Sequence, residues 1–349
     1  MSRPLPRVSV VMAVYNREKY VQEAVDSILA QTFADFEFII VDDGSTDRTG
    51  EILTTYRDER IRLVRNAQNR GVSHSANRGI SLAVGEYIAR MDSDDISKPG
   101  RLMAQMQFLD RNPDIDVVGA WMEHIDQDGR PTGRYSKYPS SVMGLHWFGL
   151  FDCPVANPAV MARRTFFGSA GGYDEALVSG EDYELWARSS LAFKFSNIQE
   201  VLVRYRIHGS SLSRAPLTPQ SFVPSEANRK YTSLYLGENI SLDTMMLLKG
   251  LRGAKSAAEL FSAIATLRRL HRRFRREHCL RAADVTDINL DIAHRLSQLS
   301  LKSRRFLVAW PLRAYALVLV LLTLTWRFVN TAVGRHPQSE VVTSGRGAN

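Results

Sequence analysis

The chain has 349 residues, of which 44% are hydrophobic, and a formal net charge of +8 at pH 7. This length suits two domains or one large domain with an appendage. Its two cysteines, Cys153 and Cys279, fit neither a disulfide framework nor a zinc site. The basic excess lies toward the C-terminus, since six arginines fall between Arg268 and Arg276 and no acidic residue occurs between Asp291 and Glu340.

Strand and helix patterns alternate from Val8 to Asp92. The Val-rich run Val8 to Tyr15 is typical of a strand buried on both faces. The next segment, 18–31, has apolar residues at helical spacing. Further strands are predicted at 36–41, 61–66 and 85–92, with helices at 46–58 and 71–84. The alternation predicts an α/β fold with a mostly parallel, Rossmann-like sheet and helices on both faces.

The second half of the chain is less regular. A helix is predicted after Lys98, a strand within 116–126, and a closing strand that ends at Ile207. Three prolines between Pro216 and Pro224 indicate a linker. We therefore expect four units: a first domain at 1–212, a linker and helical extension at 213–300, an apolar and basic segment at 301–330, and a disordered tail at 331–349.

Residues 306–329 form the most apolar stretch of the chain, and 314–326 contain no charge. A spanning helix needs about 20 mostly apolar residues, which this stretch provides only if Pro311 and Arg313 are included. Its aromatic and basic flanks fit an interfacial anchor or a marginal span. A buried core helix is the alternative. The first interpretation predicts a protein at the cytoplasmic face of a membrane, either peripheral or anchored through its C-terminal segment.

Three carboxylates, Asp92, Asp94 and Asp95, follow the fourth predicted strand within four positions. Ligands of open parallel sheets bind beyond the carboxyl ends of the strands. Clustered carboxylates suit Mn²⁺ or Mg²⁺, which would relieve their mutual repulsion. Helix capping is the alternative, because Asp95 or Ser97 could begin a helix at Pro99, but capping accounts for only one of the three acids.

The chain resembles glycosyltransferase family 2 in three stretches that occur in the order expected for that family. They are VSVVMAVYNREKYVQEAVDSILAQTFADFEFIIVDDGSTDRT, NRGVSHSANRGISLAVGEYIARMDSDD and GEDYELWAR. The resemblance covers about Val8 to Leu212 and leaves out the C-terminal third. It implies a GT-A fold that binds a nucleotide-sugar, and transfer with inversion at the sugar.

The resemblance also implies roles for residues on the nucleotide side. Asp43 would bind the base, while Asp42 either shapes the same pocket or only forms a turn. Arg70 and Asn77 lie on the nucleotide side or on a solvated helix surface. Asp92 would contact the ribose or the metal. The remaining residues of the implied nucleotide-sugar pocket are Ala13, Tyr15, Asn16 and Ser93.

Asp94 is the implied metal ligand in the DSDD motif. Asp95 would be a further ligand or accept a hydrogen bond behind the site, and Asp92 is a possible ligand as well. His208 resembles a histidine that completes the metal coordination in many GT-A enzymes. The implied cofactor is a divalent cation, Mn²⁺ or Mg²⁺. A surface or core position is the other interpretation of His208.

Inversion in one displacement needs a base that deprotonates the acceptor hydroxyl. Asp182 of the GED motif resembles the family's base, with Glu181 beside it in the catalytic pair. Alternatively both acids only stabilise the start of the helix that follows. Arg163 and Arg164 are expected on the acceptor side.

The function expected from these patterns is metal-dependent transfer of a sugar from a nucleoside diphosphate, UDP above all, to a hydroxyl. The acceptor would be a glycan or a lipid-linked molecule, as in the synthesis of cell-surface polysaccharides, and no nucleic acid is expected as a partner. A nucleotidyltransferase and an inactive sugar-nucleotide-binding protein are the alternatives. The absence of G-x-x-x-x-G-K-[ST] and G-x-G-x-x-G motifs disfavours an ATPase or a nicotinamide-dependent dehydrogenase.

Overall fold

The computed structural model describes residues 5–209, except 178 and 191, and residues 223–303. In its first part, parallel strands alternate with helices, as the apolar runs predict. The elements are β1 (Val8–Val14), α1 (Val21–Leu29), β2 (Phe36–Asp42), α2 (Thr49–Thr55), β3 (Ile61–Arg65), α3 (Val72–Leu82) and β4 (Tyr87–Asp92).

The next part completes the sheet. Its elements are β5 (Ile96–Ser97), α4 (Arg101–Arg111), β6 (Val117–Ile125), β7 (Pro131–Ser136), α5 (Val142–Gly149), β8 (Met161–Arg163), α6 (Arg164–Ala170), α7 (Glu181–Ser189) and β9 (Phe195–Arg206). The strand order is β3-β2-β1-β4-β8-β6-β9-β5, and β7 pairs with β6.

The sheet is mixed, which corrects the expectation of a mostly parallel sheet for the strands after β4. β8 lies between β4 and β6 and runs antiparallel to both. β5 is antiparallel to β9, although β9 is parallel to β6. β8 has only three residues, so it carries no side-chain alternation from which a sequence pattern could predict its pairing.

Both faces of the sheet are covered, as predicted. Alternate residues of β1 point to opposite faces: Val10 and Met12 pack with apolar side chains of α1 and α4. Val11 packs on the other face with side chains of α3, α5, α6 and α7. The strands are therefore buried on both sides, which explains their continuous apolar sequences.

The predicted helical extension is present. It comprises α8 (Val223–Leu236), α9 (Leu242–Leu248), α10 (Ala257–Glu277) and α11 (Ala282–Lys302). The last three helices form a separate apolar core together with Trp147, Leu150 and Phe151 at the end of α5. Trp147 Nε1 also donates a hydrogen bond to Asp291 Oδ2 of α11 at 2.8 Å, so the extension packs against the first domain.

Some sequence predictions fall on residues outside the described part of the chain. These are the proline-containing linker up to residue 222, the apolar segment 306–329 and the expected disordered tail 331–349. Among the described residues, no helix is long and apolar enough to cross a membrane.

Candidate active site

The carboxyl ends of β1, β2 and β4 lie at one edge of the sheet because these strands are parallel and in register. The short strand β5 then pairs with the end of β9, with Ile96 opposite Arg204. This pairing holds the acidic loop between β4 and β5 beside the end of β9, where His208 follows. Residues far apart in sequence therefore share one edge.

The turn after β1 is held by Asn16. It has a positive φ of 50°, which asparagine tolerates better than most residues. Its Oδ1 accepts a hydrogen bond from the Thr46 backbone N–H at 2.9 Å, and its own N–H donates to Ser45 Oγ at 3.1 Å. Ala13 is half-buried and Tyr15 is exposed at the same edge. Asn16 thus joins the turn after β1 to the turn after β2.

The two acids after β2 differ in their partners. Asp42 Oδ1 accepts a hydrogen bond from the Ser45 N–H at 2.9 Å, which is the turn-forming role that the sequence left open. Asp43 accepts hydrogen bonds from Asn66 Nδ2 at 2.6 Å and from the Arg70 and Gly71 N–H groups at 2.9 and 2.8 Å. Asp43 therefore fixes the loop that leads into α3, and its contact with a base stays a prediction.

Arg70 and Asn77 have different surroundings. Arg70 is exposed near the start of α3. Asn77 Nδ2 donates to the Tyr173 carbonyl at 2.8 Å, and its Oδ1 accepts from the Tyr173 N–H at 2.9 Å. Asn77 therefore attaches α3 to the segment after α6, and its place on the nucleotide side stays a prediction.

Each of the three clustered aspartates meets a different partner. Asp92 Oδ1 lies 3.9 Å from a guanidinium nitrogen of Arg90. Asp95 is buried, and its Oδ1 accepts a hydrogen bond from the Arg206 N–H at 2.8 Å. Ser93 is buried between the first two acids. The repulsion among the carboxylates is therefore balanced in part by the protein itself.

Asp94 lies in a cationic environment. Its Oδ2 accepts a hydrogen bond from Arg17 Nε at 3.1 Å and lies 3.0 Å from Nε2 of His208. His208 is buried and packs against the Tyr20 ring, with the ring centres 4.6 Å apart. The structure thus brings together Asp94 and His208, which the sequence had singled out separately.

The four predicted metal ligands meet part of what a divalent cation requires. Within the residues that the structure describes, no group of three or more His, Cys, Asp or Glu side chains is arranged to hold a metal ion. Carboxylate and imidazole donors nevertheless suit Mn²⁺, and Oδ2 of Asp95 is buried with no hydrogen-bond partner among the residues that the structure describes. The donor types fit, while metal binding by Asp92, Asp94, Asp95 and His208 stays a prediction.

Glu181 and Asp182 open α7. Gly180 precedes them with a φ of 74°, a left-handed conformation that glycine adopts without strain. Asp182 Oδ1 accepts a hydrogen bond from the Tyr183 N–H at 2.8 Å, so this acid satisfies one free amide of the first turn. Asp182 therefore stabilises the start of α7 through its Oδ1, as the alternative interpretation predicts. Its Oδ2 takes no part in that hydrogen bond.

The two acidic motifs influence each other electrostatically. Burial raises the pKa of Asp92 to about 6, and the charges of Asp94 and Asp182 act in the same direction, opposed by Arg90. Burial, followed by the charge of Asp182, raises the pKa of Glu181 to about 7. Burial also raises the pKa of Asp182. Elevated pKa values among neighbouring carboxyl groups are a common mark of a functional site.

Four arginines around the acidic loop were missed by the sequence reasoning. Arg90 and Arg101 are buried beneath it, and Arg90 donates to the Val11 carbonyl at 2.7 Å. Arg17 contacts Asp94, and Arg206 Nε donates to the Asp94 carbonyl at 2.8 Å. Of the four, only Arg90 could have been noticed from the sequence, because it is a charged residue inside an apolar strand.

Arg163 and Arg164 lie far from the acidic loop. Arg163 pairs with Tyr87 at the start of β4, which is the end of the sheet opposite the acidic loop. Its guanidinium donates to the Ile115 and Leu109 carbonyls, and that of Arg164 donates to the Gly85 carbonyl. Both side chains therefore join backbone segments at that end of the sheet, and their predicted position on the acceptor side is not supported by these contacts.

Comparison with known proteins places this architecture. Residues 9–165 match glycosyl transferase family 2. An uncharacterized glycosyltransferase of Methanocaldococcus jannaschii is 37% identical over 214 residues, which cover 59% of this chain and 72% of the relative. An uncharacterized glycosyltransferase of Haemophilus influenzae is 31% identical over 252 residues, covering 69% of this chain and 78% of the relative.

A solved structure has the same fold. It is residues 1–349 of S. aureus TarS in complex with UDP-GlcNAc, with a TM-score of 0.56, 18% identity, and coverage of 95% of this chain and 93% of that chain. The mixed sheet with its acidic loop after β4 is thus GT-A-like, and the protein is a glycosyltransferase. The chain belongs to glycosyl transferase family 2.

Proposed function

We propose that this glycosyltransferase inverts the configuration of the sugar it transfers, depends on a divalent cation, and uses a UDP-sugar as donor. The acceptor is a hydroxyl of a glycan or a lipid-linked molecule, as in cell-surface polysaccharide synthesis. One observation carries the proposal: the charge of Asp182 acts on Asp92 although the two acids come from motifs 90 positions apart. The DSDD and GED motifs therefore lie close enough for their charges to interact.

The proposed donor site lies at the ends of β1 and β2. Asn16 and Asp43 fix the two turns that border this part of the edge. The structural relative from S. aureus was solved with UDP-GlcNAc, which supports a UDP-sugar here at the level of the shared fold. Ala13, Tyr15 and Arg70 would contribute to the pocket by their position at this edge.

Asp94 and His208 would hold the cation, together with Asp92 or Asp95. When bound, Mn²⁺ or Mg²⁺ neutralises charge that develops on the leaving nucleoside diphosphate. The 3.0 Å contact between Asp94 Oδ2 and His208 Nε2 supports this set, because the two donors already lie at one point. Arg17, which also contacts Asp94, adds a fixed positive charge at the same place.

Asp182 would act as the base. A carboxylate accepts the proton of the acceptor hydroxyl more readily when its pKa is nearer the working pH. Burial raises the pKa of Asp182, while Arg90 and Lys249 oppose that shift and favour the charged form that a base requires. Glu181, with its pKa near 7, would hold a proton for part of the time beside the base.

The protein would work at the cytoplasmic face of a membrane, through the apolar residues 306–329 and the basic residues that flank them. This location suits a lipid-linked acceptor, which the membrane surface would present to the cleft.

The test is to incubate purified full-length protein with Mn²⁺ and a panel of UDP-, GDP- and dTDP-sugars, and to measure the nucleotide released. Release of UDP that requires Asp182 supports the proposal. A parallel incubation with UTP and a sugar 1-phosphate tests the first alternative, since release of pyrophosphate there would indicate a nucleotidyltransferase. No reaction in either incubation would indicate an inactive binding protein. Either of these results overturns the proposed reaction.

A further inference from the structure

The helix α10 has one buried and one exposed face. Its buried residues, among them Leu260, Leu267 and Phe274, pack into the core of the helical extension. Positions spaced alternately by four and three residues lie on one helix face. On the exposed side, these positions are Phe261, Ala265, Arg268, Arg272 and Arg275, and Arg276 lies beside the last of them.

Four arginines of this side form what we call the arginine face: Arg268, Arg272, Arg275 and Arg276. All four are exposed, and within the described part of the chain none of them makes an ion pair or a side-chain hydrogen bond. The two other arginines of the run do have partners: Arg269 pairs with Glu238 at 2.7 Å and Arg273 pairs with Glu277 at 2.7 Å. The unpaired charges are thus collected on one surface.

Helix stabilisation does not account for the whole arginine face. Cations stabilise the C-terminus of a helix, but that effect is confined to about the last turn. It covers Arg275 and Arg276, because α10 ends at Glu277. Arg268 and Arg272 lie further from the helix end, so they add mutual repulsion that is not offset by an internal partner.

The surroundings of α10 indicate the kind of surface that would offset these charges. Phe261 lies on the same side, and it is 55% exposed. The end of α11 lies close to the start of α10, since the Ala254 N–H donates a hydrogen bond to Ser303 Oγ at 3.0 Å. In the sequence, the apolar residues 306–329 follow three positions after Ser303. An apolar side chain, an apolar segment and unpaired cations together fit a lipid surface better than a soluble polyanion.

We propose that α10 lies against an anionic phospholipid membrane through Phe261 and the arginine face. From Phe261 to Arg276 this surface extends about 22 Å at the helical rise of 1.5 Å per residue. It gives the protein a second membrane contact, separate from residues 306–329, and two contacts fix an orientation that one contact leaves free. The inference rests on the proposed membrane location.

The experiment is flotation of the full-length protein with vesicles of phosphatidylcholine alone, or of phosphatidylcholine with phosphatidylglycerol, at low salt. Each cation near an anionic surface contributes about fivefold in affinity, the equivalent of 1 kcal/mol. Arg268→Gln with Arg272→Gln should therefore weaken binding to the anionic vesicles by about 25-fold. Arg268→Lys with Arg272→Lys should retain it, because lysine keeps the charge.

The matched control is Arg269→Gln with Arg273→Gln, which removes the same formal charge from the same helix at its paired positions. This control should bind anionic vesicles much more tightly than the first pair. Equal weakening by both pairs would mean that only net charge matters, and would overturn the arginine face. If none of these substitutions changes binding, the arginine face is also overturned, but the proposed membrane location is not. If the unsubstituted protein binds neither kind of vesicle, both the arginine face and the proposed membrane location are overturned. None of these outcomes bears on the proposed transfer of sugar from a UDP-sugar.

Discussion

Oδ2 of Asp94 lies 3.0 Å from Nε2 of His208, although 114 residues separate them in the chain. The contact depends on β5 pairing with β9, which brings the end of the acidic loop to the end of the last strand. Removing the charge of Asp94 should therefore affect chemistry more than folding, because the strand pairing that positions the loop does not involve its side chain.

We expect Asp94→Asn to lower sugar transfer by about 10²–10³-fold, the usual range for removing one electrostatic contact to developing charge. EDTA should have a similar effect on the unsubstituted protein, and Mn²⁺ should reverse it. Asp128→Asn is the control, since Asp128 forms an exposed pair with Arg130. Initial rates with and without EDTA test the prediction, and equal rates in EDTA and in Mn²⁺ would contradict metal dependence.

Asp182→Asn should reduce turnover by about 10²–10⁴-fold, because a positioned general base typically contributes that factor. The affinity for UDP should stay near normal, since Asp182 would act on the acceptor. Glu184→Gln is the control from the same helical turn: Glu184 pairs with Arg188 at 2.8 Å and should affect stability more than rate. If Asp182→Asn abolishes UDP binding but retains turnover, the base is another residue.

The pKa of Glu181 predicts a specific pH dependence of stability. Burial, above all, raises the pKa of Glu181 in the folded protein from its ordinary value of 4.5 to about 7. The folded protein thus binds more protons between these values, and stability falls as pH rises through that window. The Glu181→Gln variant has no group at this position that titrates. From about pH 5 to about pH 8, the unsubstituted protein should therefore lose stability relative to the variant. Denaturant titrations at both pH values measure this, and a constant difference would refute it.

Asp291 should hold the helical extension in place. Its carboxylate accepts hydrogen bonds from Trp147 Nε1 at 2.8 Å and from Arg295 at 2.7 and 2.9 Å, and Arg295 is nearly inaccessible. Asp291→Ala leaves a buried guanidinium unpaired, which typically destabilises by about 3–5 kcal/mol.

The control for Asp291 is Glu51→Ala, which removes an exposed pair with Arg48 and should change stability by less than about 1 kcal/mol. Free energies of unfolding from urea titrations compare the two variants. Similar small values for both would show that the Asp291 contacts do not stabilise the extension.

The order of elements up to Asp92 was predictable because side-chain periodicity is local. Continuous apolar runs indicate strands covered on both faces, and β1, β2 and β4 are such strands. Parallel strands end at a common edge, so the position of Asp42 and of the Asp92–Asp95 cluster followed as well. The helical nature of the extension followed for the same reason, from its amphipathic spacing.

The partners of the acidic residues depend on the tertiary structure alone. Arg17, His208 and the Arg206 backbone reach Asp94 and Asp95 only through the pairing of β5 with β9 and the packing of the turn after β1. Such contacts join residues with no common period in the sequence, so no local pattern encodes them. The insertion of β8, antiparallel to both neighbours, was not predictable either, because its three residues carry no side-chain alternation. The sequence by itself determined which residues lie at the edge of the sheet, and the packing of distant segments determined which of them meet.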